Sequence, residues 1–283
     1  MPQPPLKTTT QHNVSLDTEH KVSMNRRQLL NGLAAGTVVA FAGTGCSTNP
    51  VTGRDQLLLV SDQQLAQLGQ QTWQALLADA PVQAPDTGTT KELREIGDRV
   101  VNAAGQNLPP ADWDYRVFEQ DQINAFVMPG GKVGFYDGIL DIMDNESQVA
   151  TVMGHEVGHV AGRHAAERYS QRLAAGMAVT ATSIALDQAD VSFAGQIGAV
   201  LGVGLQFGVL LPYSRQHEIE ADRLGVRYMA AAGYDPRESL SFWEKMTDLG
   251  DKRQKPPEFL STHPSDETRI RVLSEEIRRI ENA

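Results

Sequence analysis

Apolar residues at Val149, Val152, Met153, Val157 and Val160 recur every three to four positions, the spacing of one face of a helix. Asp144 or Asn145 stands ahead of them as a cap, and Gln148 follows Asn145 at capping-box distance. No proline interrupts the run, so the pattern predicts a helix to about Arg172. The same signals predict helices from Ser61, with Gln64 at capping distance, to Leu77, from Lys91 to Gly105, over Arg215–Ala232 and over Ser265–Asn282. Asp112–Glu119, Ile123–Met128 and Lys132–Tyr136 are rich in β-branched and aromatic residues and read as strands, the last two joined by a turn at Gly130-Gly131. Ala80–Thr90, with its prolines, glycine and threonines, is a loop. Strands ahead of several helices make the expected fold α+β: mainly helical, with a small mixed sheet beside the Val149–Val160 helix.

Composition narrows the picture. The 283 residues carry a formal charge of −10. Residues 1–45 hold Lys7, Lys21, Arg26 and Arg27 against Asp17 and Glu19, a net +2, which leaves −12 on the remainder. An acidic body without a basic run argues against nucleic acid as a partner. Residues 1–23 are a polar extension. From Met24 two arginines, an apolar run and small residues lead to Cys46, a signal-peptide layout over 24–45 of lipoprotein or twin-arginine type. Cys46 is the only cysteine, so no internal disulfide forms. Its position resembles a lipoprotein cleavage site, with a lipid on Cys46 as membrane anchor; the alternatives are an ordinary secretory signal or an uncleaved anchor. Residues 46–55 then read as a polar tether and 56–283 as one folded domain. Phe193–Leu211 is nearly uncharged, but Gln196, Gln206 and its glycines favour a core or groove-lining helix over a membrane span.

The chemistry concentrates in His155-Glu156-Val157-Gly158-His159. Histidines four apart share a helix face, so both imidazoles reach one cation, and Glu156 beside them is placed to take a proton from an attacking water. A catalytic zinc needs a further ligand. His164, in the run HExxHxxGxH, is one residue short of the metzincin spacing and reads as a helix-surface residue or a support for the ligands. Glu218 is the stronger candidate: it shares a helix face with Asp222, so one carboxylate can bind metal while the other orients a histidine. Glu220 reads as a solvated charge, and His217 faces away from Glu218.

HExxH followed by Ser214-Arg215-x-x-Glu218-x-x-Ala221-Asp222 resembles the HtpX and CAAX-prenyl-protease family of zinc metallopeptidases, which includes soluble periplasmic lipoproteins. The likeness runs from about Asn49 to the C-terminus, through Asn124–Leu140, Gly233-Tyr234-Asp235-Pro236 and Ser261-Thr262-His263-Pro264. It implies a gluzincin-type domain in which His155, His159 and Glu218 hold one zinc ion, Glu156 is the base and Asp222 orients a ligand. The family's late element matches His263, Pro264 and Arg269. Arg269 and His263 are then candidates to stabilise the oxyanion, or His263 fills the open metal position at rest. An edge strand, Asn124–Met128 or Lys132–Tyr136, would pair with extended substrate, giving Asn124, Ala125 and Phe126 as contacts. The resemblance implies an endopeptidase for misfolded or mislocalised envelope proteins, lipid-anchored and facing the periplasm at the outer membrane. The alternative is an envelope chaperone or assembly factor for outer-membrane proteins, working with their assembly machinery, in which proteolysis is secondary.

Overall fold

In a computed structural model, residues 45–185, 213–252, 256–264 and 267–283 are described, by backbone alone over 177–185. The expected extension, the signal segment up to residue 44 and the Phe193–Leu211 stretch lie outside the described residues. In chain order the elements are β1 (Cys46–Thr48), β2 (Asp55–Leu57), α1 (Asp62–Asp79), α2 (Gly88–Ala104), β3 (Asp114–Phe118), β4 (Ala125–Met128), β5 (Lys132–Tyr136) and α3 (Asp137–Leu140). There follow α4 (Glu146–Ala161), α5 (His164–Ala185), α6 (Arg215–Ala231), α7 (Glu238–Lys252), α8 (Glu258–Thr262) and α9 (Glu267–Glu281). The fold is α+β, as the pattern predicts. Among the described residues no helix is long and apolar enough to cross a membrane.

Side-chain caps mark the starts of α1, α2, α4 and α6. Ser61 and Gln64 form a reciprocal capping box on α1. Thr87 accepts from the backbone of Thr90, which starts α2 three residues before the expected Lys91. Asn145 caps α4, while the Gln148 carboxamide accepts from the backbone N–H of Asp144 at 3.0 Å. The helix expected to run on to Arg172 is broken instead. Arg163 takes φ 53°, the only positive φ outside glycine among the described residues, and α5 restarts at His164. That left-handed conformation costs about 1–2 kcal/mol, and it swings the His164 ring out of helical register and into the interior, where it is fully buried.

The three-stranded sheet has the order β3-β5-β4, with β3 parallel and β4 antiparallel to β5. Gly130 and Gly131, at φ 85° and 80°, make the β4–β5 turn. Both faces are covered. Trp73 of α1 packs on Phe118, Phe126 and Met128, and the opposite face joins the main core with Val117, Ala125, Val133 and Phe135. Lys132–Tyr136 is therefore the central strand and cannot be the substrate edge; the edge beside α4 is β4.

Residues 46–55 are no tether. They open an antiparallel hairpin, β1 on β2, docked where α4 ends. The Asn49 carboxamide donates to the Ala161 carbonyl at 3.1 Å and that of Gln56 to the Gly162 carbonyl at 2.6 Å, while Ser170 accepts from the backbone of Leu59 at 2.8 Å.

Candidate metal centre

Two helices build the site, and glycine sets their separation. Gly154 and Gly158 each precede a histidine of the HExxH run on α4. A methyl group at Gly158 would sit 2.6 Å from the Ala221 carbonyl oxygen, and one at Gly154 2.6 Å from that of Gly225. Helix α6 thus crosses α4 backbone to backbone, closer than helices with ordinary side chains between them can come. At that separation the short reach of Glu218 and Asp222, one turn apart on α6, spans the gap to the imidazoles.

His155 Nδ1 lies 2.8 Å from Asp222 Oδ1. A carboxylate only accepts, so this nitrogen carries the proton and Nε2 is the one turned inward. His164 Nε2 lies 3.0 Å from Glu220 Oε2, and His164 Nδ1 is 2.9 Å from His159 Nδ1. Burial holds the His164 pKa down; the neutral ring donates to Glu220 and accepts from His159, leaving His159 Nε2 as a bare lone pair. The two Nε2 atoms are 3.1 Å apart, and each is 3.4 Å from a different Glu218 oxygen. His263 Nδ1 completes the cluster, 3.1 Å from His155 Nε2 and 3.2 Å from Glu218 Oε1. These four donors lie within 4.8 Å of one another and all four residues are buried. Glu156 is buried beside them, its Oε1 lacking a hydrogen-bond partner and 3.4 Å from His263 Nε2. Two imidazoles and a carboxylate converging out of water, with an unsatisfied acid alongside, fit the donor set and geometry of a divalent zinc ion.

The electrostatics point the same way. Burial works against a charge on His155, yet its bonds to Asp222 and Glu218 raise its pKa to about 9. Burial keeps His159 well below the ordinary imidazole value. Beyond the hydrogen on each Nδ1, one further proton therefore belongs to the pair, and it rests on His155 Nε2, because only that ring has Asp222 behind it. Burial would raise Glu218, but His263 and Arg269 hold its carboxylate well below the usual range. Glu156 is pushed up by burial, as suits a base working near neutrality. Metal uptake must expel the His155 proton. Affinity should then rise about tenfold per pH unit from about pH 7 and level off near that group's pKa. Chelator competition at several pH values measures this; a flat profile would show that no proton is displaced.

The other candidates fall into place or require correction. Asp222 supports His155 as described. Arg269 is fully buried and committed: Nε and Nη2 donate to Asp222 at 2.7 and 2.8 Å, and Nη1 lies 3.0 Å from Glu218 Oε2 and donates to the carbonyls of His263 and Pro264. It also stacks 3.9 Å over Trp243. So engaged, it cannot turn to an oxyanion; it positions the carboxylates. His164 is no surface residue, and Glu220 is no solvated charge. On β4, the Asn124 carbonyl accepts from Tyr136 N–H, and strand alternation turns the backbone groups of Phe126 inward to β5 as well, and those of Ala125 and Val127 toward the edge. The Phe126 side chain packs under Trp73. Of the expected contacts, only Ala125 turns its backbone groups to the edge, its side chain lying in the core. Val127, missed in the sequence, presents its backbone N–H toward the Glu156 carboxylate and works against the rise in its pKa. Tyr213, stacked 3.9 Å from the His159 ring, was missed too. Cys46 is exposed at the start of β1.

A profile of peptidase family M48 matches residues 88–277. The chain is 35% identical to the mitochondrial metalloendopeptidase OMA1 of Schizosaccharomyces pombe over 187 residues, 66% of this chain and 52% of that protein. It is 30% identical to the beta-barrel assembly-enhancing protease of Escherichia coli over 247 residues, 86% of this chain and 50% of that protein. Against the Saccharomyces cerevisiae OMA1 the identity is 30% over 257 residues, 86% of this chain and 72% of that protein. The chain thus spans about half the length of the first two relatives.

Proposed function

The chain belongs to peptidase family M48, and on that premise we propose that it is a zinc-dependent endopeptidase of protein quality control, acting on misfolded or mislocalised proteins of the cell envelope. The observation that carries the reading is the buried convergence of His155, His159 and Glu218, with Glu156 beside them. Zinc, when bound, supplies a Lewis acid that polarises the scissile carbonyl and acidifies water. Glu156 takes the proton of the attacking water and passes it to the leaving amine. The outward backbone of Ala125 and Val127 offers an extended substrate a strand to pair with, immediately beside that base, which binds peptide without reading much sequence.

The envelope assignment draws on the signal-like segment before Cys46, on the exposure of Cys46 as a site for a lipid anchor, and on the likeness to a protein named for beta-barrel assembly. On this reading the chain is a member of the lipoprotein branch of the HtpX and CAAX-protease resemblance, at the periplasmic face of the outer membrane. Unfolded proteins are its substrates, and nucleic acid is not a partner. The same likeness favours a second reading, an assembly factor working with outer-membrane machinery whose proteolysis is secondary. Biological rescue by a protein that binds zinc but cannot cleave separates the two.

His263 is the fourth donor and closes the site at rest, holding the position that substrate must take. The full chain loaded with zinc should cleave casein and stop when a chelator removes the metal. His263→Ala should keep its zinc and cleave about tenfold faster, as expected when roughly nine-tenths of the resting population is closed. No cleavage by either zinc-loaded protein would defeat the peptidase reading; equal rates would defeat the closure.

A further inference from the structure

We infer that Arg54, on the N-terminal hairpin, is a positioning residue of the metal centre, acting on His159 through Glu220 and His164. Its guanidinium is shared between two carboxylates from separate helices. Nε and Nη2 donate to Glu220 of α6 at 2.7 and 3.2 Å, and Nη1 and Nη2 to Glu167 of α5 at 2.7 and 2.6 Å. The remaining Nη1 contact goes to the Asp55 carbonyl at 3.4 Å. Five contacts use the five N–H groups of a planar fork, an arrangement that a lysine ammonium has neither the donors nor the geometry to reproduce. Each carboxylate is thereby fixed against a histidine: Glu220 against His164, and Glu167 against His217 at 3.1 Å. The two rings stack, 4.4 Å apart and 14° from parallel, so each braces the other. His164 in turn bonds His159.

The consequence follows from what His159 needs. Its Nε2 presents a lone pair to the centre only while Nδ1 keeps its proton, and Nδ1 keeps it because His164 accepts there. His164 accepts there because Glu220 takes the hydrogen on its other nitrogen. Were Glu220 to swing away, His164 would be free to flip or change tautomer, and His159 would lose the partner that aims it. Only two side chains donate to Glu220 besides His164 among the described contacts: Arg54, and Gln216 at 3.1 Å. Arg54 is the charged, bidentate one. It lies on a hairpin that belongs to neither ligand-bearing helix, 166 positions from Glu220 in sequence. The hairpin is thus part of the metal centre rather than a strap laid over it.

This rests on the zinc reading above, and zinc uptake by the wild-type chain tests that reading separately. The experiment is chelator competition for zinc on the full chain, with thermal unfolding of the metal-free protein alongside. Arg54→Gln and Glu220→Gln should each weaken zinc binding about tenfold or more, the size typical of groups that support a ligand. The double variant should be no weaker than the worse single one, because both changes cut one chain of contacts. Arg54→Lys should recover only part of the loss. In cobalt-loaded protein the visible spectrum should change in all of these variants, since the ring of His159 is re-aimed. If Arg54→Gln lowers the unfolding temperature but keeps wild-type zinc affinity and spectrum, Arg54 merely fastens the hairpin and the inference falls. Additive losses in the double variant would overturn the relay as well. Should Arg54→Gln fail to fold, Glu220→Gln decides by the same two measurements: unchanged affinity and spectrum would refute the relay.

Discussion

Glu156→Gln is expected to keep its zinc and lose about a thousandfold in casein cleavage, within the range that general acid–base groups contribute. The replacement is isosteric, and Glu156 is not among the converging donors, so the metal stays. A carboxamide has the shape of the carboxylate, so the side chain keeps its place. What it lacks is basicity. Glu156 is held in an apolar, water-poor position that raises its pKa toward the working pH, and an amide oxygen there cannot take up a proton at all. Metal analysis together with turnover of a fluorogenic casein derivative reads both halves. Cleavage within about tenfold of wild type would remove Glu156 from the base role. Loss of zinc would instead show that it belongs to the ligand set.

The second large effect is expected at a residue with no side chain. Gly158→Ala adds one methyl group, 2.6 Å from the Ala221 carbonyl oxygen and 3.0 Å from its Cα. Both neighbours are backbone, so no side-chain rotation relieves the clash and α6 must move off α4. Overpacking of this kind costs about 1–3 kcal/mol, against a gain of about 1 kcal/mol from replacing a helical glycine. The net loss of stability is therefore modest. The loss of metal is not, because Glu218 lies one turn before Ala221 and retreats with it, and zinc binding should weaken by at least about tenfold. Gly88→Ala is the control: a methyl group there meets nothing within 4 Å, and it should leave zinc affinity unchanged and stability equal or slightly higher. Full zinc affinity in Gly158→Ala would mean that the helices have slack, and that their contact does not set the donor geometry.

How much of this is legible in the chain depends on the distance over which each feature is decided. Caps at Ser61 and Asn145, the turn at Gly130-Gly131 and the shared face of His155 and His159 are settled within a few residues, and all stand in the structure. Glu218 and Asp222 could be paired with the histidines because spacing put them on one helical face. The features misread are those fixed by partners far along the chain. Glu220 looks solvated until Arg54 arrives from the hairpin. Arg269 looks available until both α6 carboxylates claim it. β5 looks like an edge because only its pairing with β4 is local, while β3 joins it from the other side in parallel. The break after Ala161 is likewise tertiary: periodicity continues through it, and the burial of His164 pays the strain at Arg163. One signal was present and unread. Gly154 and Gly158 stand four residues apart in a helix that otherwise has no use for them, and such glycines mark close approach.

Where two helices meet through side chains, the gap between them changes whenever a side chain does. Across α4 and α6 the spacer is the main chain itself, which every sequence shares. The outward faces of both helices can therefore diverge without altering the gauge on which the donors are mounted, and the positions intolerant of change reduce to a few glycines that carry no chemistry of their own.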